Sequence, residues 1–244
     1  DIIAIGGGST DSGPSYLGRG VSKYARSSTR IEWAGLMQAR VEAGVPLVIG
    51  TAGTCGTDSA VDWMLDITRE IAAEQGNPVR IAVLRSGQDP EFIASEWEAN
   101  HITPLGNAPD VNADLLRGCT NIVALAGAEQ IAAALETGPD TILAGRTTYT
   151  ASLAALPLMR GCHAGGAWHG AKIGECGALC ATNPQSGVIM IDFDEAGFTV
   201  TPLADGAHAS PHTVSAHMLY ENSDPFILYE PGGQIGRASC RARV

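Results

Sequence analysis

The chain has 244 residues, 45% apolar and 17% charged, a globular composition that excludes disordered, collagen-like and disulfide-scaffold classes. With 26 acidic against 15 basic side chains the formal net charge is −11, which argues against nucleic acid, a partner that demands surplus or focused Lys and Arg. No apolar run reaches the roughly 18 to 20 residues needed to span a bilayer, and the start lacks a basic-then-apolar leader pattern, so a cytoplasmic protein with no membrane partner is expected.

The chain opens at Asp1 without an initiator Met, directly on an apolar strand pattern over Ile2 to Ile5, so a few natural residues are expected to be missing there. Thr29 to Ala43 reads as a helix, with Trp33, Leu36, Met37 and Val41 near one face and Gly44 as its stop. Pro46 to Ile49 is the second strand. A helix from Ser59 to Gln75 follows, with Val61, Met64, Leu65, Thr68, Ile71 and Ala72 on one stripe and Gly76 at its end. Val79 to Leu84 is a third strand, and Asp89-Pro90 a cap and first-turn pair for a short helix through Trp97. Ile122 to Leu125 is a fourth strand, Glu129 to Glu136 a helix stopped by Gly138 and Pro139, and Thr141 to Ala144 a fifth strand.

After Arg160 a helix over Trp168 to Cys180 precedes two runs, Gly187 to Phe193 and Phe198 to Leu203, whose four-residue separator predicts a β-hairpin. A helix over Thr213 to Asn222 comes last. The alternation predicts an α/β fold: a mostly parallel sheet with flanking helices in Rossmann-like layers, elaborated at the C-terminal side by a helix and a β-hairpin. Residues 1–233 are read as one domain, incomplete at both ends. Gln234 to Val244 reads like a translated sequencing adapter and is set aside from fold reasoning. Six cysteines, Cys55, Cys119, Cys162, Cys176, Cys180 and Cys240, form no C-x-x-C pair and signal neither a zinc site nor a redox motif.

Ligands of open parallel sheets bind beyond the carboxyl ends of the strands, so the loops after the strands hold the candidate residues. These are Gly7, Gly8, Ser9, Thr10 and Ser12 in the first loop, Thr51, Gly53 and Thr54 in the second, and Arg146 and Thr147 after the fifth strand. Glycines allow close backbone approach, hydroxyls and helix N-terminal amides donate to an anion, and the planar fork of Arg146 suits a carboxylate or phosphate. None of the loops has dinucleotide or P-loop spacing. Asp11 and Asp58, in matching Thr-Asp-Ser triplets, and Glu129 are candidate proton-moving groups, and the two aspartates leave a divalent cation open. Ser59 to Asp62 also forms a capping box, which offers Asp58 and Asp62 a purely structural task. His169, Lys172 and Cys176 fall along one side of a helix with Glu175 beside them, so His169, Lys172, Glu175 and Asp62 are candidates for a supporting layer. The histidines match no metal signature, and no metal ligands are assigned.

The ordered series Gly8-Ser9-Thr10-Asp11-Ser12-Gly13-Pro14, Ile49-Gly50-Thr51-Ala52-Gly53-Thr54, Val61-Asp62-Trp63, Leu143-Ala144-Gly145-Arg146, Pro157-Leu158-Met159-Arg160-Gly161 and Leu219-Tyr220-Glu221-Asn222 with Tyr229-Glu230-Pro231-Gly232-Gly233 resembles the AtuA-type acyclic terpene utilisation proteins over nearly all of residues 1–233. The resemblance implies a catabolic role with a branched carboxylate or CoA-linked ligand, and a small companion domain or subunit. It assigns no catalytic residue. The leading expectation is an enzyme of lyase or hydratase type acting on a small anionic substrate, a CoA thioester among the candidates, with a homo-oligomeric state expected. A non-catalytic ligand-binding subunit that needs a companion, and a nucleotide-dependent oxidoreductase, are the alternatives.

Overall fold

The computed structural model describes residues 1–8, 14–106, 108–221, 224, 227–231, 233–236 and 242–243. In chain order its elements are β1 (Ile3–Gly6), α1 (Pro14–Arg19), α2 (Arg26–Ala43), β2 (Leu47–Gly50), α3 (Asp58–Gln75), β3 (Ile81–Leu84), β4 (Gly87–Gln88), α4 (Pro90–Glu98), α5 (Ala113–Arg117), β5 (Ile122–Val123), α6 (Ala128–Glu136) and β6 (Thr141–Ala144). Then come α7 (Tyr149–Met159), α8 (Ala164–Gly174), 3₁₀ turns at Gly177–Cys180 and Pro184–Ser186, β7 (Ile189–Asp194), β8 (Gly197–Pro202), α9 (Pro211–Glu221), β9 (Ile227–Glu230), β10 (Gly233–Gly236) and β11 (Ala242–Arg243). The contacts divide the chain into two units, residues 7–125 with 140–146, and residues 1–6 with 126–139 and 147–244.

In the unit of residues 7–125 and 140–146, β6 pairs in parallel with β2 and with β3, so that Thr141 stands level with both Leu47 and Ile81. Leu47, Val48, Ile49, Ile142, Leu143 and Ala144 are all buried, as strands covered on both faces require. The helices α2 and α3 pack together, and the buried Trp33 indole N–H donates to Thr68 Oγ1 at 2.9 Å, so the ring enters the core without an orphaned donor. Gly44 and Gly76 end these helices in the left-handed conformation, as their places in the sequence predict. Asp89 caps α4 by accepting from Phe92 N–H at 2.8 Å. The N-cap of α3 is Thr57, whose hydroxyl accepts from Ala60 N–H, and not Ser59. The expected fourth parallel strand is instead the two-residue β5, paired antiparallel with β4. An apolar run sets a strand's existence, while tertiary pairing chooses its partner.

In the other unit, α7 packs against α6 and α8. Ala151, Ala154 and Ala155 of α7 are buried. The hairpin of β7 and β8 sets Ile189 opposite Pro202 and Asp194 opposite Gly197, with Asp194 Oδ1 accepting from Ala196 and Gly197 N–H groups across the turn. The helix expected to run to Cys180 stops at Gly174: Glu175 turns extended and the exposed Cys176 takes φ 47°. Cys180 then enters a core with Ile173, Phe198, Val200, Val214 and Met218. α9 begins at Pro211, two residues before its expected start, and residue 222, its expected end, lies outside the described residues. β9 pairs antiparallel with β10, and β11 lies parallel to β8. Among the described residues no helix is long and apolar enough to cross a membrane.

Candidate functional site

The parallel pairing of β2, β6 and β3 brings their carboxyl ends together, and the loops that leave them are knitted by backbone hydrogen bonds. Thr51 N–H donates to Gly145 O at 2.9 Å, Gly145 N–H to Leu84 O at 2.8 Å, Gly7 N–H to Gly50 O at 2.7 Å and Thr54 N–H to Gly7 O at 3.0 Å. Of the sequence-predicted binding residues, Gly7, Gly8, Thr51, Gly53, Thr54 and Arg146 are thereby gathered in one region. The glycines serve this packing: a Cβ on Gly8 would lie 1.9 Å from Thr54 O, and one on Gly145 would lie 2.6 Å from Ser86 Oγ. Thr51 and Thr54 are buried and adopt φ 51° and 77°, a region costly for β-branched residues. Thr54 Oγ1 accepts from Lys23 N–H at 3.2 Å and lies 3.1 Å from Ser22 Oγ, so this hydroxyl is engaged inside the fold.

Arg146 follows β6 half-buried, its backbone pressed against Gly56, whose own Cβ would lie 2.6 Å from Arg146 N. Its guanidinium forms no ion pair among the described residues. Asp58, in the first turn of α3, accepts from Ser86 N–H at 3.2 Å and Gly87 N–H at 3.0 Å through one oxygen, fastening the turn after β3. Asp62 is exposed and forms a forked pair with Arg85, whose pKa this hydrogen-bonded partner raises. Asp11, Ser9, Thr10 and Ser12 lie outside the described residues.

The remaining candidates belong to the other unit. Glu129 is exposed in the first turn of α6, Thr147 is buried just before α7, and His169 meets the Phe198 ring edge-on at 5.2 Å between centroids. Lys172 and Glu175, 7% and 9% exposed, form a buried pair at 2.5 Å. The helix end at Gly174 explains how they meet. The extended Glu175 directs Oε1 to the first turn of α7, where Thr150 donates through its N–H at 2.6 Å and also contacts it through Oγ1.

Thr150 itself and two further partners, Glu230 and His217, were not among the candidates that the sequence offers. Thr150 Oγ1 also lies 2.9 Å from Glu230 Oε1, and His217 Nε2 donates to the Glu175 carbonyl at 2.8 Å. Burial pushes the Glu230 carboxyl up; the Thr148 and Thr150 hydroxyls pull it down, Glu175 pushes it up again and Lys172 opposes, leaving a net rise. Neither residue stands at a motif spacing from the Lys172 pair, so only the fold unites them. Among the described residues no group of three or more His, Cys, Asp and Glu side chains could hold a metal ion. A groove of about 430 Å³ lined by Leu65, Arg69, Ala72, Val79, Ile81 and Val83 contains none of the sequence-predicted site residues.

Residues 23–239 match the model of a family described as acyclic terpene utilisation family protein AtuA. Comparison with curated proteins and with solved structures gives no match.

Proposed function

We propose a function from the premise that this chain belongs to the acyclic terpene utilisation family: it is a catabolic enzyme acting on a small anionic substrate, a branched carboxylate or its CoA thioester, in a lyase or hydratase step. The observation that carries this reading is Arg146, a half-buried residue at the carboxyl end of a parallel strand whose backbone packs against Gly56 of the second loop and whose guanidinium forms no ion pair among the described residues. A planar fork placed there matches a carboxylate or phosphate by paired hydrogen bonds. Asp11 is the proton-moving group of this reading, and Asp58 positions the neighbouring turn through Ser86 and Gly87.

A thermal-shift series of branched carboxylates and acyl-CoA thioesters tests it. At least one should stabilise the wild-type chain, and Arg146→Ala should bind that compound about tenfold to a hundredfold more weakly, the loss expected for a charged hydrogen bond worth roughly 1.5–3 kcal/mol. The ligand-free unfolding midpoint should stay where it is. Equal protection of wild type and variant would sink the reading, and so would a variant that unfolds without ligand.

A further inference from the structure

In the unit that contains α7, α8 and β9, one hydroxyl faces two carboxyl groups. Thr150 Oγ1 is within hydrogen-bond distance of Glu175 Oε1 and of Glu230 Oε1. A threonine hydroxyl carries one proton, so it donates to one oxygen, and the second close oxygen must carry a proton of its own and donate back. Glu175 is the acceptor: its Oε1 also receives the Thr150 N–H, and its Oε2 receives Lys172 Nζ. Both of its oxygens are thus already occupied as acceptors.

We infer that Glu175 and Glu230 share one proton through Thr150, with Glu175 ionised beside Lys172 and Glu230 held as a neutral carboxylic acid that fastens β9 to the first turn of α7. The groups that face this arrangement are the Thr148 and Thr150 hydroxyls of the α7 N-terminal turn, Lys172 and Glu175 at the end of α8, and His217 of α9, which donates to the Glu175 carbonyl. From α6, Glu129 lies close to Gly127, whose Cβ would meet Pro231, the residue after Glu230. Ionising the half-buried Glu230 places a second negative charge beside the buried Glu175 and leaves two acceptors competing for one hydroxyl proton. The proton on Glu230 therefore works as a pH-sensitive latch. Its loss to solvent leaves a carboxylate on Glu230, and the Glu230–Thr150 hydrogen bond breaks.

Infrared spectroscopy of the intact wild-type chain at neutral pH should show the C=O stretch of a protonated carboxyl group, and Glu230→Gln should remove it. The glutamine amide can donate to Thr150 as the neutral acid does, so this variant keeps the latch closed. Its unfolding midpoint should rise relative to that of the wild type as pH increases through the Glu230 pKa, and the protection of amides 227–230 relative to their base-catalysed intrinsic exchange rate should fall with pH in the wild type alone. A wild-type spectrum without the band, a band that survives in Glu230→Gln, or a midpoint difference independent of pH would each overturn the inference. The wild-type spectrum decides the matter even if the variant does not fold, and Thr150→Ser, which keeps the hydroxyl, should keep the band.

Discussion

Asp58 shows how a residue can look catalytic by position and be held by the scaffold. It stands in a Thr-Asp-Ser triplet after a parallel strand, yet one oxygen accepts two backbone N–H groups, from Ser86 and Gly87. Asp58→Ala leaves both donors without this acceptor and should lower stability by about 1–3 kcal/mol in urea titration. A change within a few tenths of a kcal/mol would mean that the turn finds another acceptor. The same lesson applies to the glycines. Gly8 was legible as a site of close approach, but what approaches it is Thr54 of the chain itself. A sequence records the need for room and not what fills it.

Helix α8 and the hairpin it covers illustrate the element scale. Gly170 lies where a Cβ would come within 2.6 Å of the Phe193 ring and 2.9 Å of the Phe198 ring. Helix propensity favours Gly170→Ala by about 1 kcal/mol, while overpacking a fitted interface costs about 1–3 kcal/mol, so a net loss is expected. Denaturant unfolding of the variant checks the sign; a gain would show that the rings can move aside. Strands and capped helices were largely legible, because Gly44, Gly76 and the Asp89-Pro90 pair act locally. α7 was not, since a helix apolar all round shows no amphipathic period, and the early stop of α8 depends on where the Glu175 carboxylate finds its partners. The cluster of Thr150, Glu175, His217 and Glu230 was illegible for the same reason: its members are united by tertiary packing across 80 residues of chain.

At the scale of the molecule, the carboxyl groups of Asp140 and Glu230 shift in opposite directions. Burial pushes the Asp140 carboxyl up, but the Arg80 N–H and the Arg40 and Arg80 guanidinium groups outweigh it and hold it below its ordinary value. Its contribution is complete above the unfolded aspartate pKa of about 3.9 and is lost as pH falls through the lower folded value. Asp140→Asn should therefore cost on the order of 1–3 kcal/mol near neutral pH and should narrow its deficit against wild type in acid. Urea titrations across that range check this, and a deficit that stays constant would refute it. Glu230 has the reverse sign: its contribution is complete below the unfolded glutamate pKa of about 4.3 and is lost as pH rises through the raised folded value. Acid loosens one unit at Asp140 and alkali the other at Glu230.

The end of α8 at Gly174 also separates two sulfur atoms by environment. Cys176 lies exposed on the left-handed turn, whereas Cys180, four residues on, is sealed among Ile173, Phe198 and Met218, and its thiol is pushed up by burial. An alkylating reagent added to the native molecule thus meets the first and is denied the second until the core parts. The pair records, on a single short stretch of chain, both surface chemistry and the rate at which the interior opens.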